Sequence, residues 1–286
     1  MPLLSHRTQA AVLAAACVSA GAAQAQDQED VEPVGPKSLW EFGAAGAGGS
    51  RPAYPGSDTR LTNQAAAPYA IYRGKYLRAG EGGLRIRARK DEITELDVGV
   101  SGSLGSDSSE VQARAGMPNL GTLIEIGPRL KIRLPSRPAG GRVTLSLPLR
   151  AVFDLSDSGR DRGYTFEPGL SVGWRPWAKT SVGVGLTAFF GDRRINQLFY
   201  GVDPQFADTA LNRTAFQARA GLVATRLSLS TSTAVTRDMY FGSYLRFDSV
   251  RGAANEDSPL VRKTEGLTAG IGLSWTLFRS ERPAED

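Results

Sequence analysis

Long stretches of this 286-residue chain alternate strictly between apolar and polar side chains, which is the pattern of a β-strand with two different faces. The stretch 141–153, GRVTLSLPLRAVF, sets an apolar row from Val143 to Phe153 against a polar row that includes Arg142 and Arg150. Many stretches have ten or more residues, whereas strands of soluble proteins usually have about five or six. A tilted strand that crosses a membrane needs about 9–11 residues, with apolar side chains towards lipid. The pattern therefore predicts an all-β fold, an antiparallel transmembrane β-barrel.

Eleven alternating segments can be counted along the chain. They are 38–49, 64–73, 76–89, 92–104, 119–134, 141–153, 163–175, 179–190, 213–225, 234–247 and 265–278. Bacterial single-chain barrels have even numbers of strands, so we infer that a boundary between residues 50 and 90 is misread. We expect about twelve strands, with ten as the next choice. The long connections at 105–118, 154–162, 191–212 and 248–264 would lie outside the cell, and the short ones at 135–140, 176–178 and 226–233 in the periplasm.

The end of the chain favours the barrel over a periplasmic β-sandwich, which periodicity alone leaves open. The run 269–278, AGIGLSWTLF, resembles the closing strand by which outer-membrane barrels are recognised for assembly. It departs from that signal at Leu277, where an aromatic residue is usual, and in the charged tail after Phe278. After residue 25 no apolar run approaches the ~18 residues of a membrane helix, which argues against a helical membrane protein.

The first residues have the parts of an export signal. Arg7 precedes an apolar run from Ala10 to Ala23, and Ala23-Gln24-Ala25 is a small-x-small cleavage site. A lipoprotein signal around Cys17 is the alternative. The predicted organisation is a signal peptide at 1–25, a periplasmic N-terminal segment at 26–37, an outer-membrane β-barrel at 38–278 and a periplasmic C-terminal tail at 279–286.

The predicted mature protein has no histidine and no cysteine, because His6 and Cys17 both lie in the signal. The absence argues against the outer-membrane enzymes that use a histidine base, and it excludes cysteine nucleophiles and Cys/His zinc sites. We therefore expect no enzyme activity, cofactor or metal. The formal net charge of +5 comes without a nucleic-acid-binding motif, and export also argues against a nucleic-acid partner.

Charged residues of the alternating segments are expected to face the barrel interior. The candidates are Arg85, Arg87, Glu95, Asp97, Glu125, Arg129, Lys131, Arg133, Arg150 and Glu167. We expect these charges to form a ladder that lines or fills the lumen. The alternative is that two of the carboxylates form a pair for acid/base chemistry. Arginines and a lysine of the loops, Arg160, Arg162, Arg193, Arg194, Arg251, Arg262 and Lys263, either contact outer-membrane lipid and lipopolysaccharide or keep the loops soluble.

Four short motifs give the chain a family resemblance. They are RPAYPGSD at 51–58, NLGTLIEIGP at 119–128, FYGVDPQ at 199–205 and DSPLV at 257–261. In this order and spacing they resemble the MipA/OmpV family of outer-membrane proteins; the family's usual Gly-Asp-Ala before Asp-Ser-Pro is replaced at 252–256 by GAANE. The candidate motif residues are Tyr54, Pro55, Gly56, Ser57, Asp58, Tyr200, Gly201, Val202, Asp257, Ser258 and Pro259. Each group either shapes its own turn or contacts a partner.

The resemblance implies a barrel in the cell outer membrane that holds a murein transglycosylase near a murein synthase and has no catalysis of its own. Two other functions stay open at this point. One is a narrow channel or an adhesin-like surface barrel. In such a barrel, side chains such as Phe189 would fill the lumen. The other is an enzyme that works without histidine.

Overall fold

The computed structural model describes residues 37–80, 83–103, 105–135 and 141–285. The predicted signal peptide at 1–25, and all of the predicted N-terminal segment at 26–37 except Lys37, lie outside these residues. Within them the chain forms one antiparallel sheet. Its strands are β1 (Trp40–Pro52), β2 (Arg60–Arg73), β3 (Leu77–Gly80), β4 (Gly83–Lys90), β5 (Thr94–Ser103), β6 (Leu123–Leu134), β7 (Arg142–Asp154), β8 (Arg160–Phe166), β9 (Gly169–Trp177), β10 (Thr180–Gly191), β11 (Gly221–Ala234), β12 (Met239–Ser249) and β13 (Glu265–Arg279).

The sheet closes into a barrel of twelve strands, as predicted. Strands β8 and β9 both pair with β7 and β10, so they form one strand of the wall, interrupted around Pro168. The first strand pairs with the last, from Glu41↔Arg279 to Ser50↔Ala269, and this pairing closes the barrel. The strand that is missing from the sequence-based count of eleven lies between residues 50 and 90, where a misread boundary was expected. Segment 76–89 is the hairpin of β3 and β4, and positive φ angles at Gly80 (130°) and Gly83 (94°) turn the chain there.

The sequence-based boundaries near β11 are wrong. The sequence predicted a strand at 213–225 and a turn at 226–233, whereas β11 covers Gly221–Ala234 and the turn to β12 lies at 235–238. The run LSLSTSTA at 227–234, which the predicted turn almost entirely covers, belongs to β11. In the barrel Ser228 and Ser230 are buried on the inner face, and Leu227 is exposed on the outer face.

The two ends of the barrel differ in their connections. We call one end the long-loop end; it carries the connections 53–59, 105–122, 155–159, 192–220 and 250–264. Helix α1 (Arg193–Tyr200) and four short 3-10 turns, at Ser108–Glu110, Gln112–Arg114, Leu155–Asp157 and Pro204–Phe206, lie in these connections. The other, the short-turn end, carries turns such as 91–93, 178–179 and 235–238. None of the helices in the described ranges is both long and apolar enough to cross a membrane.

The outer face of the barrel is apolar, and the inner face has two different halves. Large apolar side chains such as Leu186 and Ile271 point outwards and are about 60% exposed (59% and 60%). On the inner face, β4 to β7 carry most of the charged residues predicted for the lumen. The inner faces of β10, β11, β13 and β1 carry mainly glycine, alanine, serine and threonine.

The C-terminal tail is tied to the short-turn end. Leu39 donates its backbone N–H to the carbonyl of Arg282 at 2.8 Å, and Ser38 forms a β-bridge with Pro283. Further along, the backbone N–H of Glu285 donates to the carbonyl of Arg73 at 3.0 Å, and a carboxylate oxygen of Glu285 accepts from the N–H of Lys75 at 3.1 Å. The tail therefore joins the start of β1 and the end of β2 at one rim.

Candidate functional site

Four connections of the long-loop end pack together into one body, which we call the cap: residues 53–59, 105–122, 192–220 and 250–264. A buried apolar cluster holds it together. Its members are Ala53, Tyr54, Val111, Ala113, Met117, Leu120, Val202 and Leu260. Because each connection contributes apolar side chains that none could bury alone, the four loops fold as a unit. The motif groups at 54–58, 200–202 and 257–259 all lie in this cap.

The first and last loops of the cap are joined at Tyr54. The Tyr54 side chain is 3% exposed, and its hydroxyl donates to the carbonyl of Leu260 at 2.7 Å. Burial raises the pKa of the Tyr54 phenol to about 12, so it stays a hydrogen-bond donor at neutral pH. The turn Tyr54–Ser57 places Gly56 at a φ of 93°. The Gly56 carbonyl accepts from the N–H groups of Arg262 and Lys263 at 2.8 and 3.1 Å, which fixes the two loops side by side.

The second contact links the end of α1 with the last loop. The Ser258 hydroxyl donates to the carbonyl of Tyr200 at 2.7 Å, and both residues are buried. The Tyr200 hydroxyl lies 3.4 Å from the carbonyl of Val223, and burial raises the pKa of this phenol. Val202 pairs with Phe216 through two backbone hydrogen bonds of 2.9 Å. By contrast, Asp58 and Asp257 are exposed. The motif residues thus mainly build the cap, while a role of any of them in partner binding stays a prediction.

The cap also depends on residues that the sequence did not single out. Asn255, 1% exposed, donates to the Asn196 side chain at 2.8 Å and to the carbonyl of Arg219 at 2.9 Å. The buried Arg114 donates to the carbonyls of Leu198, Phe199 and Pro118 at 3.2–3.3 Å, and burial lowers its pKa. Arg213 likewise donates to Ala113 and Ala115 at 3.0 and 2.9 Å. No local sequence signal marks these contacts, because their acceptors are mostly backbone carbonyls of distant loops.

Below the cap, the predicted charges of β4 to β6 form ion pairs on the inner face. Arg129 and Asp97 are both almost fully buried, and their side chains form two hydrogen bonds of 2.5 and 3.3 Å. Glu95 lies 3.1 Å from Arg87 and 3.5 Å from Arg133. These arginines bind neighbouring carboxylates, so Glu95 and Asp97 stand in a charge ladder.

The ladder continues towards the cap through residues of β11 and β12. Glu167 lies 2.7 Å from Arg226, which also lies 3.2 Å from Asp248 and 4.2 Å from the centre of the Phe189 ring. Asp248 in turn pairs with Arg246 at 3.0 Å. None of Arg226, Arg246 and Asp248 was predicted from the sequence. Arg226 and Asp248 fall just outside the predicted strands 213–225 and 234–247, whereas Arg246 lies inside the second of them.

The remaining predicted lumen charges lie on the same inner face. Arg150 donates to the Ser101 hydroxyl, and Glu125 is the register partner of Ser101 on β6. Arg85 lies over Gly99, and Lys131 is half-buried on β6. The functional role of all these charges stays a prediction.

A family model for the MltA-interacting protein MipA matches residues 44–277. The chain belongs to the MipA family. The match covers the barrel from β1 to β13 and includes all four loops of the cap, so the cap lies within the part shared with the MipA family.

Solved structures give the same fold. An outer membrane channel from Pseudomonas putida F1 aligns with a TM-score of 0.50 and 13% identity, covering 87% of this chain and 98% of that one. The translocator domain of the autotransporter NalP from Neisseria meningitidis aligns with a TM-score of 0.50 and 12% identity, covering 93% and 97%. At these identities the similarity shows a shared outer-membrane barrel fold alone. No curated protein matches the chain.

The loop arginines of this MipA-family chain lie at the rim of the cap, several of them already paired. Arg162 lies 2.6 Å from Asp154, Arg160 lies 3.0 Å from Asp157, and Arg194 pairs with Asp161. An open cleft of about 750 Å³ lies among these side chains and Arg193. The other basic rim residues are Arg251, which pairs with Glu265, and Arg262 and Lys263, which bind Gly56 through their backbones. Within the described ranges no three His, Cys, Asp or Glu side chains form a metal-binding group.

Proposed function

We propose that the protein is a non-catalytic barrel of the cell outer membrane that serves as an interaction protein for peptidoglycan-remodelling enzymes. The partners would be a murein transglycosylase and a murein synthase. The observation that carries the proposal is the match of residues 44–277 to the model of the MltA-interacting protein MipA. The absence of histidine and cysteine after residue 17 agrees with a role without catalysis.

The proposal gives the barrel an orientation. Outer-membrane barrels have short periplasmic turns and longer outer loops. The cap then faces the outside, where its rim arginines would meet lipopolysaccharide, and the short-turn end faces the periplasm and its peptidoglycan enzymes. The first described residues, Ser38 and Leu39, and the end of β13 at Arg279 both lie at the short-turn end, so in this orientation the barrel wall begins and ends on the periplasmic side.

Two exposed apolar side chains at the short-turn end, in turns on opposite sides of the barrel, are the contacts that we propose for such a partner. Ile93, in the turn from β4 to β5, is 59% exposed, and Val235, in the turn from β11 to β12, is 51% exposed. Both lie at the tips of turns, where a transmembrane strand has already ended. A partner that covers the whole short-turn end would bury both side chains.

The experiment is affinity purification from detergent-solubilised envelopes at native expression, with peptidoglycan enzymes identified by mass spectrometry. We expect the wild-type protein to recover a murein transglycosylase and the double variant Ile93→Glu/Val235→Glu to recover at least about tenfold less. The matched control is Leu155→Glu, because Leu155 is 56% exposed at the opposite end of the barrel. Recovery of no peptidoglycan enzyme by the wild type, or equal loss in both variants, would contradict the proposal.

A further inference from the structure

The described chain begins at the mouth of the barrel at the short-turn end. The carbonyl of Lys37 accepts from the N–H of Ala284 at 2.8 Å, and residues 37–39 run antiparallel to 282–284. The next residue of the tail, Glu285, lies beside the inner face, because its carbonyl accepts from the guanidinium of Arg78 at 2.9 Å. Back along the chain from Lys37, the direction is therefore towards Glu285 and Arg78, at the entrance to the lumen.

From mid-barrel to this mouth, the inner face of β1 to β7 is strongly basic. Cross-strand register places Arg87 opposite Asp97, and Asp97 opposite Arg129. Among the described residues of this surface, the basic side chains are Arg73, Arg78, Arg85, Arg87, Lys90, Arg129, Lys131, Arg133 and Arg142, and the acidic ones are Glu41, Glu95 and Asp97. We call the basic set the basic stripe. The described part of this surface therefore has an excess of positive charge.

The wall across the lumen from the basic stripe carries small side chains. Near the short-turn end its inward residues include Ala45 of β1, Gly272 of β13, Ser232 of β11 and Gly183 of β10. In an eight-stranded barrel side chains just fill the interior, and the diameter grows with the number of strands. A barrel of twelve strands with small side chains on one half therefore has space for an additional segment of chain.

The predicted N-terminal segment carries the opposite charge. Residues 26–36, QDQEDVEPVGP, contain no lysine or arginine. Their carboxylates are Asp27, Glu29, Asp30 and Glu32. A fully extended chain of this length spans about 36 Å, whereas the climb along β6 from Arg133 to Arg129 is only about 13 Å. The segment is therefore long enough to bring its carboxylates alongside the basic stripe.

The geometry points to a plug: we propose that residues 26–36 enter the lumen through the short-turn mouth and that their carboxylates form ion pairs with the basic stripe. The attraction comes from the excess of positive charge along the whole stripe, whatever partner each arginine has within the wall. The cap lies at the opposite end, so the lumen would then be obstructed at both ends. The plug uses the predicted cleavage after residue 25 but no peptidoglycan enzyme, so either proposal can fail without the other.

Thiol labelling of the full mature chain tests the plug, because residues 26–286 contain no cysteine of their own. The reagent is a polyethylene-glycol maleimide too large to enter the barrel. We expect Gln28→Cys to react at least about tenfold more slowly than Val235→Cys, whose position is 51% exposed in a turn at the same end. Replacing the four acids, by Asp27→Asn/Glu29→Gln/Asp30→Asn/Glu32→Gln, should raise the rate at position 28 to that of Val235→Cys. Labelling in 1 M NaCl should also be faster, because salt screens the ion pairs.

Variants of the wall test the other side of the contact. Lys131→Glu/Arg133→Glu should speed labelling of Gln28→Cys at least about fivefold, because the stripe then repels the acids. The control is Arg251→Glu, which removes a basic side chain that is 66% exposed at the long-loop end and should leave the rate unchanged.

Oxidative cross-linking locates the segment without any change of charge. Ser146 is the inward register partner of Lys131, and Leu145 is its outward neighbour on the same strand. Gln28→Cys should form a disulfide with Ser146→Cys and not with Leu145→Cys.

Equal labelling of Gln28→Cys and Val235→Cys would place the segment outside the lumen and overturn the proposal. Slow labelling that persists after the four acids are replaced would show that charge does not hold the segment, and would overturn it as well.

Discussion

The hydroxyl of Tyr54 donates a 2.7 Å hydrogen bond to the backbone carbonyl of Leu260, across 206 residues of sequence. Tyr54 belongs to the first loop of the cap and Leu260 to the last. These two loops flank the β1–β13 pairing that closes the barrel, so this bond joins the cap directly above the point of closure. Its loss should weaken the cap more than the loss of an exposed hydrogen bond would, because Leu260 is fully buried and its carbonyl would be left without a donor.

Replacing Tyr54 with phenylalanine should lower the free energy of unfolding by about 1–3 kcal/mol, the cost of a buried acceptor without its donor. Urea titration of the barrel in lipid vesicles, followed by heat-modified gel mobility, measures the change. Tyr76→Phe provides the control, because the Tyr76 side chain is 64% exposed and should lose little. A Tyr54→Phe barrel as stable as the wild type would show that the bond contributes nothing to the cap.

Alkaline pH should destabilise the wild-type cap through the same phenol. The pKa of Tyr54 is raised from 10.0 to about 12 in the folded state, chiefly by burial. The folded protein therefore holds this proton more tightly than the unfolded chain, and the resulting stability is complete below pH 10 and is lost as the pH rises to about 12. Unfolding midpoints measured between pH 8 and 12 should fall above pH 10, and the fall should be smaller in Tyr54→Phe. Parallel pH profiles of the two proteins would contradict this assignment.

Breaking the ion pair between Asp97 and Arg129 should cost far more than breaking a surface pair. Asp97→Ala leaves the Arg129 charge buried without its carboxylate, and we expect a loss of about 3–5 kcal/mol. Glu265→Ala breaks the exposed pair with Arg251 and should cost less than about 1 kcal/mol. The same urea titration compares the two variants. Similar losses would mean that water reaches Asp97 and Arg129 in the lumen.

Removing the Asn255 side chain should loosen the long loop 192–220. Asn255→Ala breaks the hydrogen bonds to Asn196 and Arg219, and we expect protease added to intact cells to cut this loop at least about fivefold faster, because local opening precedes cleavage. Asp257→Ala changes an exposed residue of loop 250–264, which also carries Asn255, and it should leave loop 192–220 cut at the wild-type rate. If Asp257→Ala were cut as fast as Asn255→Ala, the effect would belong to the loop as a whole and not to the Asn255 contacts.

The strands of the barrel were largely predictable because alternation is a local property of the sequence. It located β7 at 141–153 and β10 at 179–190, close to the observed Arg142–Asp154 and Thr180–Gly191. It failed where one face consists of small polar residues, as at Ser228 and Ser230, because a serine in a strand and a serine in a turn look alike. It also failed to separate β3 from β4, since the hairpin interrupts the alternation only at its glycines.

The cap was less predictable, because its contacts join residues far apart in the chain. The sequence identified the loops around Tyr54, Tyr200 and Ser258 as separate motifs, each with a sufficient local explanation as a turn. Their meeting depends on the closed barrel, which brings the loops of β1, β10 and β12 to one mouth. Arg114 and Asn255 were missed for the same reason, since a buried side chain that binds distant carbonyls leaves no pattern in its own neighbourhood.

The pairing of β1 with β13 also orders events during folding. Glu41 meets Arg279 and Ser50 meets Ala269, so the second edge of the first strand is covered only when the last strand is in place. Until then every partial chain has two open edges, and the entropic cost of bringing together residues more than 200 positions apart is met only at the final step. Loss of even the last strand should therefore leave an open sheet instead of a smaller barrel.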